Sequence, residues 1–561
     1  MSRMSRILAG LTALVALTLA PVLHGTPAEP VLKWHTYAGS SLHDDGASIA
    51  VDGSGNIYLA GWSEATWGTP ISPHSGGRDA FVAKLNSAGE LQWNTFLGSS
   101  ETDEAKAIAV DGSGNVYVGG RSEATWGAPL HAIGERGDAF VARLNSSGLL
   151  QWNLFIGGEW SESVNDIAVD AGGNVYVTGV CVNGWSDEFW GTPVAPSDIH
   201  QNAWVVKLNS SGTPAWYTFL GGAGEEHGTG IAVDESGHVY VSGRSSGTWG
   251  TPVNEHTGDG AEDGFAARLD SSGNRQWHTF FGGEDVDETT DVAVDASGGV
   301  YVSGHSKANW GTPVTPHAGG DWDAFAVKLD GSGVRQWHTF IGSESGDLGW
   351  AIAVDGSRNT YVTGVWGGPP LSHPGGFVAL LNPDGELQWN TFLEAILDGM
   401  ALDRSRNVHV AGQSSCSCVS DEGGRGEPVS PFAGGWDAFA ARFASTIEVE
   451  IDIKPGSQPN SVNLGSLGSV PVAILSTPDF DASSVKPDTV TLAGAAVRVN
   501  GRGIAMASLQ DVNGDGVPDL VVHVITEALA VAGAGDVEVV LTGLTVDGRM
   551  IEGRDTIRVI R

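Results

Sequence analysis

The sequence predicts an all-β protein, a seven-bladed β-propeller followed by a small β-sandwich. Three blocks recur in order through most of the chain: Leu-x-Trp-x-Thr-Phe-x-Gly, then Ile-Ala-Val-Asp-x-x-Gly-Asn-x-Tyr-Val-x-Gly, then Asp-Ala-Phe-Val-Ala-Lys-Leu. Their anchors are Trp34, Trp93, Trp152, Trp216, Trp277, Trp337 and Trp389, a period of about sixty residues that marks a modular array. Each block is short, rich in β-branched and aromatic residues and bounded by Gly, Ser, Asn and Asp, with no helical periodicity. After Thr446 the repeat stops and a different strand pattern begins.

The second unit shows the reading element by element. Leu91 to Leu97, Ala107 to Asp111, Val116 to Gly119 and Asp138 to Leu144 are strand segments. The turns Asp111 to Asn115 and Asn145 to Gly148 are tight and polar, with Gly and Asn supplying positive φ. Two tight turns therefore share one end of the sheet, and two longer connections share the other. A four-stranded sheet this short is unstable alone, whereas seven packed face to face around an axis bury both faces. The array, residues 32–443, opens on a lone Trp strand (Leu32 to Tyr37) and closes on Asp437 to Phe443. The first strand can thus complete the last blade, although a boundary before each Trp strand also fits the pattern.

With these blocks in view, the chain resembles the SBBP family of bacterial β-propeller repeats over roughly residues 32 to 443. The resemblance implies a propeller in a secreted protein and no common catalytic set. Local departures are Asn202-Ala-Trp-Val-Val-Lys-Leu208 and Gly376-Phe-Val-Ala-Leu-Leu381 in the third block, and Met400-Ala-Leu-Asp403 in the second.

The chain has 561 residues, and its 29 Lys and Arg against 66 Asp and Glu give a formal charge of −37. Nucleic acids and anionic membrane surfaces are excluded as partners by repulsion, and neutral, basic or cationic ligands fit better. Residues 1–28 read as a signal peptide: Met-Ser-Arg-Met-Ser-Arg, an apolar run from Ile7 to Leu23, then small and polar residues, with cleavage between Ala20 and Glu29. No transmembrane segment is expected after that cleavage, and the location is secreted or cell-surface. Three cysteines, Cys181, Cys416 and Cys418, are too few for a disulfide framework; a Cys416–Cys418 bridge or free thiols are expected.

The Asp that ends each central block (Asp52, Asp111, Asp170, Asp234, Asp295, Asp355 and Asp403) directly precedes a Gly/Asn turn, so it is expected to cap that turn rather than catalyse. The long-loop end is the candidate binding face. One loop carries acids, among them Asp44 and Asp45, Asp103 and Glu104, Glu159 and Glu162, Glu225 and Glu226, Asp287 and Glu288, and Asp347. The other carries Trp-Gly-Thr-Pro or a variant at Trp67, Trp126, Trp190, Trp249 and Trp310, the candidate ligand-binding residues. An aromatic rim over an acidic funnel suits a neutral sugar or a cation; the competing reading is that each Trp pins its own loop. His74, His131, His200, His256, His317 and His373 recur once per unit, too far apart to share a metal. No catalytic residues are assigned.

The C-terminal segment, 447–561, begins with the alternating strand Ile447 to Ile453. Further strands are expected at Val470 to Leu475, Thr489 to Leu492, Leu520 to Ile525, Val537 to Thr542 and Thr556 to Ile560, with a hairpin at Asp547-Gly548. It resembles a module appended to secreted bacterial proteins that starts Ile-Asp-Ile-Lys-Pro-Gly-Ser, here Ile451 to Ser457. Within it, Asp511, Asn513, Asp515 and Asp519 with the Val517 carbonyl have the oxygen spacing of a calcium loop, and Gly516 sits at the sharp turn. Position twelve is Val522 rather than Glu, so modest affinity is expected, and a metal-free turn is the alternative. The functional expectation is a secreted, non-catalytic propeller that binds an extracellular glycan or protein, with calcium as its cofactor. A secreted carbohydrate-active or lyase-type enzyme is the rival, and a structural surface component is third.

Overall fold

The computed structural model describes residues 30–134, 136–158, 162–182, 185, 189–197, 200–257, 260–369, 375–415, 428–444, 446–457, 459–477, 480–531, 535–546 and 550–560. The signal-peptide segment, Cys416, Cys418, Glu159, His373 and the Asp547-Gly548 turn lie outside these residues. Strand dominates, and the helices among the described residues are two three-residue 3₁₀ turns, Ala482–Ser484 and Thr526–Ala528.

Residues 31–444 form seven four-stranded antiparallel sheets. Sheet 1 is Asp44–Val51, Ile57–Ser63, Asp79–Leu85 and Leu91–Leu97. Sheets 2 to 6 repeat this order over 103–156, 163–220, 226–281, 287–341 and 348–393. Sheet 7 takes Ile396–Leu402, Val408–Ser414 and Asp437–Ala444, and its fourth strand is the N-terminal Val31–Ala38, paired from Val31↔Ala444 to Ala38↔Ala438. The lone Trp strand therefore completes the last sheet. The first strands of successive sheets touch one another in order, and Ile396–Leu402 touches Asp44–Val51. These are propeller-like repeats.

Sequence explains the stacking. Second strands such as Ile57-Tyr-Leu-Ala60 are wholly buried, because both faces of a sheet meet neighbours and an unbroken apolar run is tolerated. The anchor tryptophans bridge sheets. Trp152 Nε1 donates to the Ser210 carbonyl at 3.2 Å and Trp216 Nε1 to the Ser271 carbonyl at 2.9 Å, each in the turn of the next sheet. That turn needs Gly273, with φ 85°, since a Cβ there would sit 2.8 Å from the Trp216 ring. The aspartates before the tight turns cap them as expected. Asp52 Oδ1 accepts from the Ser54 and Asn56 amides at 2.8 and 3.0 Å, while Oδ2 takes Asn56 Nδ2 and the Tyr58 hydroxyl. These hydrogen bonds hold its carboxyl below the ordinary range even though burial acts the other way.

The C-terminal residues make two sheets around one apolar core that includes Val472, Val522, Leu541, Ile551 and Ile557. One sheet runs Thr446–Glu448, Met550–Ile560, Gly535–Thr545, Val485–Leu492 and Ala495–Ala496, with Ser461–Asn463 also on Met550–Ile560. The other runs Ile451–Ile453, Ser469–Ile474, Asp519–Ile525 and Ala507–Gln510. The single strand expected over Ile447 to Ile453 is in fact two. Thr446–Glu448 pairs in parallel with Met550–Ile560, and Ile451–Ile453 joins the opposite sheet. The alternation in polarity persists across the switch, so sequence alone does not reveal it.

Candidate functional site

The Trp-Gly-Thr-Pro tryptophans do not form a rim. Trp67, Trp126, Trp190, Trp249 and Trp310 are all buried, the most open at 7% exposure. Trp67 packs edge-on against Phe81 and Phe96 of its own sheet, and Trp310 lies flat on His338 with centroids 4.0 Å apart. In sheets 1 and 2 the residue after the anchor tryptophan ties the loop down: Asn94 Nδ2 donates to the Trp67 carbonyl and Asn153 Nδ2 to that of Trp126, both at 2.9 Å. An indole is too large to leave in water when a sheet edge beside it offers an apolar slot, so the pinned-loop reading holds. Three loop histidines are structural too: the Nε2 atoms of His74, His256 and His317 each donate to a serine carbonyl of their own sheet at 3.1 Å.

Of the acids expected in a loop funnel, Asp44, Asp45, Asp103, Glu104, Glu226, Asp287 and Glu288 sit instead at the starts of first strands, and Glu162, Glu225 and Asp347 directly precede them. Asp44, Asp103, Glu226 and Asp287 are buried between sheets, and their neighbours Asp45, Glu104, His227 and Glu288 are partly open, because successive strand residues face opposite ways. Those open neighbours help build the site.

Where first strands converge, Asn165, His227, Thr229, Glu288, Thr289, Thr290, Trp350, Asp398 and the second-strand Arg244 line a cavity of about 450 Å³. Five sheets contribute. Arg244 is its hub: Nη1 lies 2.8 Å from Glu288 Oε2 and 3.6 Å from Glu262 Oε2, and Nη2 donates to His227 Nδ1 at 3.2 Å. His227 Nε2 then donates to Gln201 Oε1 at 2.8 Å. This imidazole is neutral, in agreement with burial and the nearby guanidinium lowering its pKa. Burial raises Glu262, and burial with Asp45 nearby pushes Asp398 up to about 7. His305 stands between Trp322 and Trp350, at 4.9 and 5.4 Å between centroids, with Nε2 3.9 Å from Glu288.

A second cluster sits at the same end of the sheets. His43 lies between Trp62 and Trp436, Arg78 stacks 4.1 Å over Trp62, and Arg78 pairs with Glu104 at 3.0 Å and Glu64 at 3.5 Å. Among the described residues, partly open tryptophans of this end include Trp62, Trp322, Trp350 and Trp436. Sequence reasoning passed over them. Their signal was that each falls outside the repeated tryptophan positions, so no repeat-wide packing role accounts for it. With Arg244 held by Glu288 and Glu262, an Asp398 without a cationic partner, two-way hydrogen bonders and an indole, the cavity can bind a polar molecule that is neutral or positively charged; among its described lining residues no nucleophile is backed by a base and an orienting partner.

The proposed calcium residues occupy a hairpin tip, since Ala507–Gln510 pairs with Asp519–Ile525 through Gln510↔Asp519. Gly514 and Gly516 have φ of 80° and 87°. Asp511 accepts from the Gly514 and Gly516 amides at 2.7 and 3.0 Å, and Asp515 Oδ1 from the Val517 amide at 2.7 Å. Asp519 is fully buried, accepting from the Ser476 and Val512 amides, both at 2.8 Å. Among the described residues no three His, Cys, Asp or Glu side chains close around one point as a metal cage. Asp511, Asn513, Asp515 and Asp519 share the tip, but the carboxylates turn onto backbone amides. Cys181 is buried, its Sγ 3.7 Å from the Asn202 carbonyl. Among the described residues no helix is long and apolar enough to cross a membrane.

Residues 33–66 and 92–125 match the family model SBBP, described as a β-propeller repeat. The regulatory protein FlaEY of Caulobacter vibrioides is 31% identical over 341 residues, 55% of this chain and 34% of that protein. The WD repeat-containing protein L264 of Acanthamoeba polyphaga mimivirus is 21% identical over 428 residues, 60% of this chain and 30% of that protein. The chain thus spans about a third of the length of these curated relatives. Among solved structures, the Neurospora crassa Pan2 WD40 domain aligns at 9% identity over 74% of this chain and 96% of that one, with a TM-score of 0.40. Kuenenia stuttgartiensis hydrazine synthase aligns at 11% identity over 62% and 79%, with a TM-score of 0.37.

Proposed function

We propose that this chain is a secreted, non-catalytic binding protein: residues 1–28 a signal peptide, 32–443 a closed seven-bladed propeller and 447–561 a β-sandwich. Its ligand is a neutral extracellular glycan, held in the cavity around Arg244. The observation that carries this is the set of His227, Arg244, Glu288 and Trp350, delivered by three sheets to one cavity; sheet 2 repeats the Arg244 and Glu288 positions as Arg121 and Glu104, but His227 and Trp350 have no counterpart there. Arg244 is already taken up by Glu288 and Glu262 and so asks no negative charge of the ligand, the threonines and Asn165 offer donors and acceptors, and the indole offers a sugar face an apolar platform. The regulatory name of the Caulobacter relative agrees with binding rather than turnover. Calcium belongs to the same reading, with Asp511, Asn513, Asp515, Asp519 and the Val517 carbonyl as its ligands. Two exposed carboxylates, Asp511 and Asp515, beside the buried Asp519, and two left-handed glycines support it.

Titration calorimetry against neutral oligosaccharides tests the cavity, run beside an activity screen on the same glycans. Saturable binding lost in Arg244→Met and in Trp350→Ala, with no products formed, is the expected result. Binding untouched by both substitutions overturns the site, and turnover abolished by Glu288→Gln replaces the reading with the enzymatic one.

A further inference from the structure

We propose that facing carboxyl groups at the sheet junctions, exemplified by Asp263 and Asp287, share a proton in the folded protein and make an acid-stabilised clasp between neighbouring sheets. This goes beyond ligand binding and does not depend on it.

Asp263 opens the third strand of sheet 4 and Asp287 opens the first strand of sheet 5. They are 0% and 1% exposed. Asp263 Oδ2 accepts from the Thr257 amide at 2.6 Å and hydroxyl at 3.1 Å, and Asp287 Oδ2 accepts from the Gly283 amide at 2.8 Å. Asp263 Oδ1 is buried with no donor in reach. A Cβ on Gly282 would lie 2.5 Å from Asp263 Oδ1 and 2.6 Å from Asp287 Oδ2, so the two oxygens flank one spot and lie within about 5 Å of each other.

The arrangement recurs. Gly157 stands 2.6 Å from both Asp138 Oδ1 and Glu162 Oε2, Gly98 stands 2.9 Å from both Asp79 Oδ1 and Asp103 Oδ2, and Gly39 lies between Asp437 Oδ1 and Asp44 Oδ2 at 3.1 and 2.8 Å, by the same Cβ measure. At each junction the third-strand Asp Oδ1 lacks a donor.

Two ionised carboxylates in a dry contact repel each other, and an orphaned buried oxygen carries a desolvation cost. The one imidazole beside this pair stays beyond hydrogen-bonding reach. His256 Nδ1 lies 3.9 Å from Asp263 Oδ2 while its Nε2 donates to the Ser245 carbonyl, and the remaining charge near the pair, Asp285, is negative. Beside the equivalent Asp323, His317 Nδ1 accepts from the Gly319 amide, so that ring is neutral. One proton on the pair supplies the missing donor and removes one charge, whereas a metal ion would need ligands beyond two carboxyls. Burial pushes Asp263 and Asp287 both up to about 7, which agrees with the geometry and belongs to the pair as a unit. Sheet 3 places Asn202, a neutral amide, and sheet 6 places Gly375 where the other five sheets place this Asp.

The sign follows from linkage. The folded pKa is raised, so the stabilisation is full below the unfolded value near 3.8 and is lost as pH rises through about 7. The test uses the full chain in chelator, measuring denaturation midpoints between about pH 4 and pH 8 for the parent, Asp263→Asn and Asn202→Asp. Over that window the folded-to-unfolded ratio of the parent should fall relative to Asp263→Asn by up to roughly tenfold per pH unit. Asn202→Asp should add a further pH-dependent loss, and it carries the test alone if Asp263→Asn does not fold. Infrared spectra at neutral pH should show protonated-carboxyl absorption that weakens in Asp263→Asn. A pH-independent offset in both variants overturns the proposal. So does tightly retained stoichiometric metal in the Asp511→Ala, Asp515→Ala background, which would make the pairs cation sites.

Discussion

His278 lies flat against Trp249, with ring centroids 4.0 Å apart and planes inclined by 10°, and the His278 Nε2 donates to the Trp249 carbonyl at 2.6 Å. The pair locks the Trp-Gly-Thr-Pro loop to the outer strand of its sheet, and His338 does the same for Trp310. Burial lowers both imidazoles to about 4. With folded values depressed from 6.5, their contribution is complete above that pH and is lost as pH falls toward 4, opposite in sign to the carboxyl pairs.

Asn94 and Asn153 occupy the same place in sheets 1 and 2 and make the same bond without a titratable group. His278→Asn combined with His338→Asn should therefore gain stability over the parent at about pH 4.5 and change little at pH 8. Urea midpoints at the two pH values check this. An equal offset at both would show that ring stacking, not protonation, dominates.

The glycine of each Tyr-Val-x-Gly block has a steric cause. In sheet 5 the register slips between Thr289 and Asp291, which swings the Glu288 carbonyl over Gly304, where a Cβ would approach it to 2.0 Å. Gly120 meets the Glu104 carbonyl at 1.9 Å in the same way. Because the obstruction is backbone, Gly304→Ala should cost about 1–3 kcal/mol, the range for overpacked interiors, and Gly247→Ala, with nothing near its Cβ position, much less. Denaturant midpoints of the two variants decide it.

How much was legible follows from what repeats. Strand order, the capping role of Asp52 and the bridging role of Trp216 were readable because seven copies impose one pattern on each position. Repetition also misled. Trp67 and its equivalents looked like a displayed rim because loops are usually exposed, yet a residue present in nearly every unit more often serves the unit's own packing. The functional candidates recur less regularly. His305 and Trp350 break the repeat, while Arg244 and Trp436 are matched only by Arg121 and Trp322; their meeting depends on strands far apart in sequence, and no linear motif records it. The buried partners Asp263 and Asp287 were hidden for a different reason. The acid clusters read as loop residues in the sequence, whereas the first strand of sheet 2 begins at Asp103, ahead of the expected Ala107.

Val31–Ala38 closes sheet 7, and Trp34 Nε1 reaches the Ser87 carbonyl of sheet 1 at 3.1 Å, so one strand ties the end of the array to its start. Removing residues up to Ala38 from the mature chain strips a full ladder from Asp437–Ala444 and exposes the Phe439 and Phe443 side chains. The melting temperature should fall by several degrees and the transition broaden, as cooperativity between terminal repeats weakens. An unchanged calorimetric trace would show that ring closure rests on sheet-to-sheet packing alone.

The hairpin tip at Asp511 to Asp519 gives the last prediction. Its carboxylates already accept backbone amides, which organises the loop but leaves lone pairs on Asp511 and Asp515 facing solvent. A cation held by these oxygens binds the folded hairpin and not the unfolded chain, so it stabilises by mass action. Millimolar calcium should raise the melting transition of the full chain, and Asp511→Ala with Asp515→Ala should abolish that shift. Asp519→Ala should do more harm, because its buried carboxylate also joins the Ser476 and Val512 amides and its loss leaves both without an acceptor. Calorimetric titration separates the outcomes. Heat of binding present in the parent and absent in the double variant assigns the ion to this loop, and its absence in both reduces the motif to a turn.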